Sequence, residues 1–266
     1  MTFDDSHIDK LLESETNAEL KVYTLGRFNF QLKGQEMSEN WGRDKAIQLF
    51  QFFIISRNRM ALHKEQIIDR LWEESGTDQH FKVALHEIKK VLEPNKKDKN
   101  QTQFIFRQGS SYKLNMEKVW LDSQALKSFV EIGNQLISDQ SELAIFAYQS
   151  AVKLYKGIFL PNRIYEDWTS GERDNLQMLS LGAHISLAQL FLDDQPKESV
   201  RLTEEALNID PTWEEAYRIQ MQAHMISGNR PQAIRTFQKC KAVLEEEFGI
   251  DPLPQTIQLI EHIIGK

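Results

Sequence analysis

Residues 77–93, with the sequence TDQHFKVALHEIKKVLE, combine an apolar stripe with a row of basic side chains. The apolar residues recur at helical spacing, which predicts a single amphipathic helix. They are Phe81, Ala84, Leu85, Ile88, Val91 and Leu92. The opposite face carries Lys82, His86, Lys89 and Lys90. Ammonium groups can bind phosphate and an imidazole can hydrogen-bond a base edge, so this face is a candidate for contact with a nucleic acid. The alternative is an ordinary solvated helix face.

The same helix has two features that argue against sequence-specific contact. It contains no arginine, and it carries Glu87 on its polar side. Lysine supplies charge to a phosphate but lacks the planar fork with which arginine reads guanine. Glu87 would repel a phosphate unless it accepted a hydrogen bond from a cytosine amine. A helix that no longer reads bases therefore remains an open interpretation.

The charge of the chain is distributed unevenly. The 266 residues have a formal net charge of −7. Residues 20–117, however, hold 17 Lys and Arg against 12 Asp and Glu, which gives +5. The flanking segments 1–19 and 118–266 are acidic, with −5 and −7. A basic block between acidic segments predicts that residues 20–117 face an anionic partner.

The order of elements in the basic block indicates a fold. The stretch LKVYTLGRFNFQLKGQEM nearly alternates apolar and polar residues and predicts two or three short strands. Two amphipathic helices follow, in DKAIQLFQFFIIS and HKEQIIDRLWEE, and helix 77–93 is the third. Residues 103–116 predict a hairpin that turns at Gly109 and Ser110. Strands, three helices and a hairpin make a winged helix-turn-helix, in which the third helix enters the DNA major groove.

The predicted wing and the loop before it carry further polar side chains. The wing 103–116 contains Arg107 and Gln108, and the preceding loop contains Lys96 and Lys97. In a winged helix these residues would contact the DNA backbone, which positions a protein without specifying a sequence.

The remainder of the chain has a helical period and an internal repeat. Ser199, Arg201 and Ala206 recur 34 residues later as Ala233, Arg235 and Cys240. A 34-residue helix-turn-helix period indicates tetratricopeptide-like (TPR-like) pairs that stack side by side. We therefore predict an α+β winged helix-turn-helix followed by an all-α helical-repeat domain. The expected boundaries are a flexible acidic tail at 1–19, the winged helix at 20–117 and the TPR-like domain at 118–266.

Several stretches resemble the bacterial SARP-type regulators, which join an OmpR/PhoB-like winged helix to a bacterial transcriptional activation domain. The resemblance is carried by LKVYTLGRF, WGRDKAIQLFQF, IIDRLW and GSSYKL in the first half, and most specifically by AVKLYKGIFLP in the second. It implies a transcription regulator that binds promoter DNA, with a helical domain for regulation, dimerisation or polymerase contact. The connector 73–79 corresponds to the loop that touches polymerase in OmpR-like proteins, and carries Glu73, Glu74 and Asp78. A solvated acidic loop is the alternative.

The sequence favours a binding protein over an enzyme. It has no phosphate-binding glycine loop, and its seven histidines show no metal spacing, so we expect neither catalysis nor a cofactor. A single cysteine and the lack of a long apolar run predict a cytoplasmic chain without membrane contact.

A sensor or adaptor is the second interpretation. An arginine and tryptophan pocket between the two halves could hold a nucleotide second messenger such as a cyclic dinucleotide. Arg27, Arg43, Arg163 and Arg173 are the candidate arginines for such a pocket. The TPR-like groove could instead hold a segment of a partner protein.

Overall fold

The computed structural model describes residues 5–37, 41–94, 103–139 and 141–265. The chain folds into two compact units, each defined by the contacts among its own residues. The winged-helix unit comprises Leu12–Asp122 and Phe159–Glu172. The helical unit comprises Met1–Leu11, Ser123–Ile158 and Arg173–Lys266.

A four-stranded sheet begins the winged-helix unit. Its strands are β1 (Leu20–Tyr23), β2 (Asn29–Leu32), β3 (Gln35–Glu36) and β7 (Val119–Leu121), in the order β3-β2-β1-β7. Strand β1 pairs antiparallel with β2 and parallel with β7. The alternation in the sequence places Leu20, Val22 and Phe30 in the core, where each is fully buried.

Three helices and a second sheet complete the winged helix. The helices are α2 (Asp44–Ile55), α3 (Lys64–Trp72) and α4 (Asp78–Leu92). The second sheet has the order β4-β6-β5, from β4 (Leu62–His63), β5 (Ile105–Gln108) and β6 (Ser111–Leu114). The wing is the hairpin of β5 and β6, with the turn at Gly109 and Ser110 as predicted. Within β5, Ile105 is buried, whereas Phe106 is 47% exposed.

Most of the helical unit is built from seven helices, α5 to α11, within the described residues. They are α5 (Asp122–Leu136), α6 (Ser141–Leu154), α7 (Asp167–Leu190), α8 (Pro196–Ile209), α9 (Glu214–Ile226), α10 (Arg230–Phe248) and α11 (Pro254–Ile264). The 34-residue repeat relates α8 to α10. Ala206 and Cys240 are fully buried at equivalent positions, and so are Ser199 and Ala233. The predicted fold class, a small α+β region followed by an all-helical region, is confirmed.

The acidic N-terminal segment differs from its prediction as a flexible tail. Helix α1 spans Asp5–Asn17, and Ile8 in it is only 5% exposed. Ile8, Leu11 and Leu12 lie at helical spacing and form a short apolar stripe. The high acidic content of residues 1–19 obscured this stripe.

The winged-helix unit also extends beyond the predicted boundary at residue 117. Strand β7 belongs to its sheet, and residues 159–172 fold against it although they lie far along the chain. Phe159 forms a β-bridge with Leu25, and the Leu160 N–H donates to the Thr24 carbonyl at 2.9 Å. Trp168 meets Phe52 of α2 edge to face, with ring centroids 5.5 Å apart.

Candidate nucleic-acid interface

Helix α4 begins at a side-chain cap and is fixed by its apolar face. The Thr77 hydroxyl accepts a hydrogen bond from the His80 N–H at 3.3 Å, as expected for a threonine N-cap. Phe81 and Ile88 are buried, and the Phe81 ring meets the Tyr112 ring of β6 at 5.0 Å in a T-shaped contact. Because the buried face is held, the polar face of α4 has a defined direction beside the wing.

A groove of about 550 Å³ lies between α4 and the wing, and we name it the α4–wing groove. It is lined by Lys64, Asp78, Phe81, Lys82, Leu85, His86, Lys89, Lys90, Glu93, Pro94, Arg107, Ser110 and Tyr112. The four basic positions predicted on α4 therefore lie on one surface, together with Arg107 of the wing. Five Lys and Arg side chains face two carboxylates in this groove, so it is a basic surface.

Lys64 is the residue of this surface that the sequence analysis missed. It is the first residue of α3, and its N–H donates to the Ser110 carbonyl of the wing at 2.9 Å. This bond brings the start of α3 beside the turn of the hairpin. The sequence gives no local signal for it, because Lys64 and Ser110 are 46 positions apart along the chain.

Asp78 lies in the α4–wing groove rather than with the acidic pair of the connector. Its carboxylate binds the ammonium of Lys64 at 2.5 Å and that of Lys82 at 2.5 Å. Hydrogen bonds from these two lysines lower the pKa of Asp78 to about 2 and raise that of Lys64. Asp78 thus positions two of the groove's ammonium groups and competes with any anion for them.

The two other connector residues are exposed in a short 3-10 turn. Glu73 and Glu74 belong to the turn Glu73–Ser75, in which Glu73 adopts a positive φ of 51°. A Cβ atom at the following Gly76 would lie 2.4 Å from Cγ2 of Ile68. Only glycine fits there, so the path of the connector between α3 and α4 is sterically fixed.

Glu87 is directed away from the α4–wing groove. Its carboxylate lies beside Gly42, since a Cβ atom at Gly42 would be 3.2 Å from the Glu87 Oε2. At about 100° per residue, Glu87 is about 140° around the helix from Lys82. It is not among the groove residues. The negative charge of Glu87 therefore lies on the side of α4 away from the groove, and the repulsion of phosphate expected from the sequence does not act within the groove.

Arg107 is held at the turn of the wing. Its Nε donates to the Gly109 carbonyl at 2.8 Å, and its guanidinium lies 5.7 Å from the centre of the Tyr112 ring. Gln108 pairs with Ser111 at the end of the hairpin and is exposed. Lys96 and Lys97, also predicted here, lie outside the described residues.

Glu93 closes one end of the α4–wing groove and has a structural role. Its Oε1 accepts hydrogen bonds from the backbone N–H groups of Gln103, at 2.5 Å, and Phe104, at 3.3 Å. This carboxylate fixes the start of the wing against the end of α4.

Arg163, one of the four arginines named as available for an effector pocket, makes hydrogen bonds and an ion pair within the winged-helix unit. Its guanidinium donates to both carboxylate oxygens of Asp44, at 2.9 and 2.5 Å, and to the Gln51 Oε1 at 2.8 Å. Its side chain is about 10% exposed. The buried fork fastens residues 159–172 to α2.

The described residues also give two general results. They contain no group of three or more His, Cys, Asp or Glu side chains that could hold a metal ion. No helix among them is long and apolar enough to cross a membrane.

The comparisons with known proteins confirm the resemblance to the SARP-type bacterial regulators. The chain belongs to the bacterial transcriptional activator domain family, whose model matches residues 121–264.

A solved structure supports the same fold. Mycobacterium tuberculosis EmbR, in complex with a low affinity phosphopeptide, superposes with a TM-score of 0.77 at 18% sequence identity. The match covers 93% of this chain and 65% of the EmbR chain. A MamA protein structure matches at 12% identity over 79% of this chain and 99% of its own, with a TM-score of 0.26 that supports no conclusion. The search of curated proteins gave no match.

Proposed function

We propose that the chain is a DNA-binding transcription regulator of the SARP type that places α4 in the major groove and the wing on the backbone. The observation that supports this is the convergence of Lys64, Lys82, Lys89, Lys90 and Arg107 on one exposed groove beside the recognition helix. A winged helix uses this helix for bases and this hairpin for phosphates. Net charge on the groove matters more than the charge of the whole chain, because fields act locally at physiological salt.

The proposed roles follow from position on the helix. His86 and Lys82 face the base edges, where an imidazole and an ammonium can pair with guanine or adenine acceptors. Lys89, Lys90 and Arg107 contact phosphates, which adds affinity without sequence preference. Gln108, at the tip of the wing, adds a contact with the DNA backbone.

The connector between α3 and α4 is the proposed contact for RNA polymerase. Glu73 and Glu74 are exposed and the turn that presents them is fixed, which suits a docking surface. Our proposal leaves Asp78 out of this contact, because two lysines bind its carboxylate.

Selection on randomised duplex DNA at near-physiological salt tests the main proposal. The full chain should enrich a repeated motif, whose spacing would also reveal whether two copies bind together. The variant Lys82→Ala/Lys89→Ala should lose that enrichment. The matched control Lys197→Ala/Lys239→Ala removes two exposed lysines of the helical unit and should retain it. No enrichment, or equal enrichment by the α4 variant, would refute DNA recognition through α4.

A nucleotide effector is the second candidate, favoured by a different groove of the winged-helix unit. This groove, of about 600 Å³, is lined by Trp168, Arg59, Arg70, Gln66 and Asp167 among others. An indole can stack on a base, guanidinium groups can bind phosphate, and a carboxylate can accept from ribose hydroxyls. The arginines differ from the four named from the sequence.

Calorimetric titration of the full chain with ATP, GTP and cyclic di-GMP tests the effector. Binding that is lost in Arg59→Gln/Arg70→Gln, with α4 intact, would support a sensor function at this groove. No heat with any of the three would remove this candidate and leave the DNA proposal unaffected.

A further inference from the structure

A second groove lies in the helical unit, and nothing in the DNA-binding function uses it. We name it the repeat groove; it has a volume of about 590 Å³ and is lined by α6, α7, α8 and the residues after α6. Helix α8 contributes Glu198, Arg201, Leu202, Glu205 and Asn208. These recur every three or four positions, so they form one continuous face of the helix.

The repeat groove is lined by a histidine whose side chain is mostly buried and which forms a hydrogen bond through only one of its ring nitrogens within the described residues. His184 is 3% exposed, and its Nδ1 lies 2.7 Å from the Ser180 carbonyl oxygen. A carbonyl only accepts, so Nδ1 carries the hydrogen and donates. Burial lowers the pKa of His184 and favours the neutral ring, which leaves Nε2 as an acceptor.

The group that faces this nitrogen is also an acceptor. Oε2 of Glu205 lies 3.7 Å from the His184 Nε2, which is too long for a hydrogen bond. Within the described ranges, no group donates a hydrogen bond to Nε2. Nε2 of His184 and the Glu205 carboxylate are therefore two neighbouring acceptors at this end of the groove, and both can accept hydrogen bonds from an N–H group of a ligand.

The basic residues of the repeat groove divide into one neutralised group and two available ones. Arg201 is held by Glu198, to which its Nε donates twice at 3.0 Å, and by Glu205 at 2.5 Å. Lys153 and Lys156 are exposed, and neither forms an ion pair in the part of the chain that the structure describes. These two lysines place positive charge at and just after the end of α6.

We propose that the repeat groove binds an extended acidic segment of a partner protein. A peptide N–H donates to the His184 Nε2 and to Glu205, and a side-chain carboxylate one or two residues away binds Lys153 and Lys156. The amide groups of Gln149 and Asn208 can pair with further peptide groups, as extended recognition requires. The ligand needs N–H donors and carboxylates together, and a polypeptide carries both.

The arrangement of charges in this groove disfavours a nucleic acid. Two carboxylates, those of Glu198 and Glu205, lie in its wall. The phosphate backbone of a nucleic acid would be repelled by both carboxylates. A peptide can instead place its N–H groups against the carboxylates and its own acidic side chains against the lysines.

Selection from a displayed library of random 12-residue peptides, with the full chain as the immobilised target, tests the proposal. The expected result is enrichment of peptides rich in Asp and Glu. The best of these, synthesised with a fluorescent label, should bind Lys153→Glu/Lys156→Glu at least tenfold more weakly. It should bind Lys197→Glu/Lys239→Glu within twofold of the unmodified chain, because those lysines are exposed outside the groove.

A second variant tests the floor of the groove. His184→Phe keeps an aromatic ring but removes the acceptor, so peptide affinity should fall about fivefold or more while the thermal unfolding midpoint changes little. Three results would overturn the proposal: no acidic enrichment, equal peptide binding by Lys153→Glu/Lys156→Glu, or labelled duplex DNA binding that depends on Lys153 and Lys156. Duplex binding through α4 is measured in parallel, so failure here is distinguishable from failure of the DNA proposal.

Discussion

The α4–wing groove and the repeat groove both contain basic residues, but they use their carboxylates differently. In the first, Asp78 and Glu93 face five Lys and Arg side chains, and Glu93 is occupied by backbone N–H groups. In the second, two glutamates bracket a single guanidinium, that of Arg201. The first therefore presents excess positive charge, whereas the second presents a mixture of acceptors and two lysines.

We infer from this difference that the position of the carboxylates, rather than the number of basic residues, defines the kind of ligand that each groove fits. A phosphate backbone repeats one charge and needs a surface of the opposite sign. A polypeptide alternates donors and acceptors and fits a mixed surface. On this argument each groove should respond to substitution in its own assay alone.

Reversing the charge of Lys90 should cause the largest change in duplex affinity among the variants that distinguish the two grooves. Lys90 is exposed on α4 and lines the α4–wing groove. Lys90→Glu removes a proposed phosphate contact and adds repulsion, so duplex affinity should fall about 10- to 30-fold at 0.1 M salt, which is about 1.4–2 kcal/mol. Fluorescence anisotropy with the selected duplex measures it.

Lys239→Glu is the matched control for this experiment. It makes the same change of charge on an exposed face of α10, and its duplex affinity should stay within twofold. The logarithmic slope of affinity against salt should become less steep by about one for Lys90→Glu. Equal losses in both variants would mean that overall charge, and not the groove, governs binding.

Removing the charge of Asp78 should have a smaller effect in the opposite direction. Asp78→Asn releases the ammonium groups of Lys64 and Lys82 and removes a negative charge from the groove. Duplex affinity should rise about three- to tenfold at low salt, and the gain should shrink as salt screens the charges. Asp69→Asn, an exposed carboxylate of α3 outside the groove, is the control. Weaker binding by Asp78→Asn would show that Asp78 organises the lysines for DNA rather than competing for them.

Most of the fold could be predicted from the sequence because its signals are local. The periodicity of residues 77–93 and the cap at Thr77 define α4 to within one residue at each end. The turn at Gly109 and the 34-residue repeat are also local or periodic. Each of these features depends on residues close in the chain or on a constant spacing.

Contacts that hold the winged-helix unit together depend instead on residues far apart in the chain. Asp44 and Arg163 are 119 positions apart, and Gln51 and Arg163 are 112 apart. No spacing rule connects them, so the sequence alone leaves Arg163 as one of four arginines available for an effector pocket and does not indicate its contacts with Asp44 and Gln51. Lys64 was missed for the same reason, and the direction of Glu87 is evident only once Gly42 is placed beside it.

A variant of Arg201 tests the proposed difference between the two grooves from within the repeat groove. Its side chain is 49% exposed, so its ion pairs with Glu198 and Glu205 are screened by water. Arg201→Met should therefore lower the free energy of unfolding by less than about 1 kcal/mol. Duplex binding should not change, because the α4–wing groove is untouched. Urea denaturation measures the first result; a loss well above 1 kcal/mol would show that this network is part of the core.

The smallest expected effect is the dependence of stability on the ionisation of Asp78. Its pKa is lowered from 3.8 to about 2 by Lys64 and Lys82, so the ionised form is favoured in the folded state. The resulting stabilisation is complete above the unfolded value near 3.8 and is lost as the pH falls through about 2. Urea denaturation of the unmodified chain and of Asp78→Asn, between pH 6 and pH 2.5, should show a difference that is constant above pH 5 and shrinks below pH 4. High salt should reduce it at every pH, since the lysines are partly exposed. A difference that stayed constant throughout this range would mean that Asp78 acts through its hydrogen bonds and helix position alone, and the competition argued for the α4–wing groove would then lose its electrostatic basis.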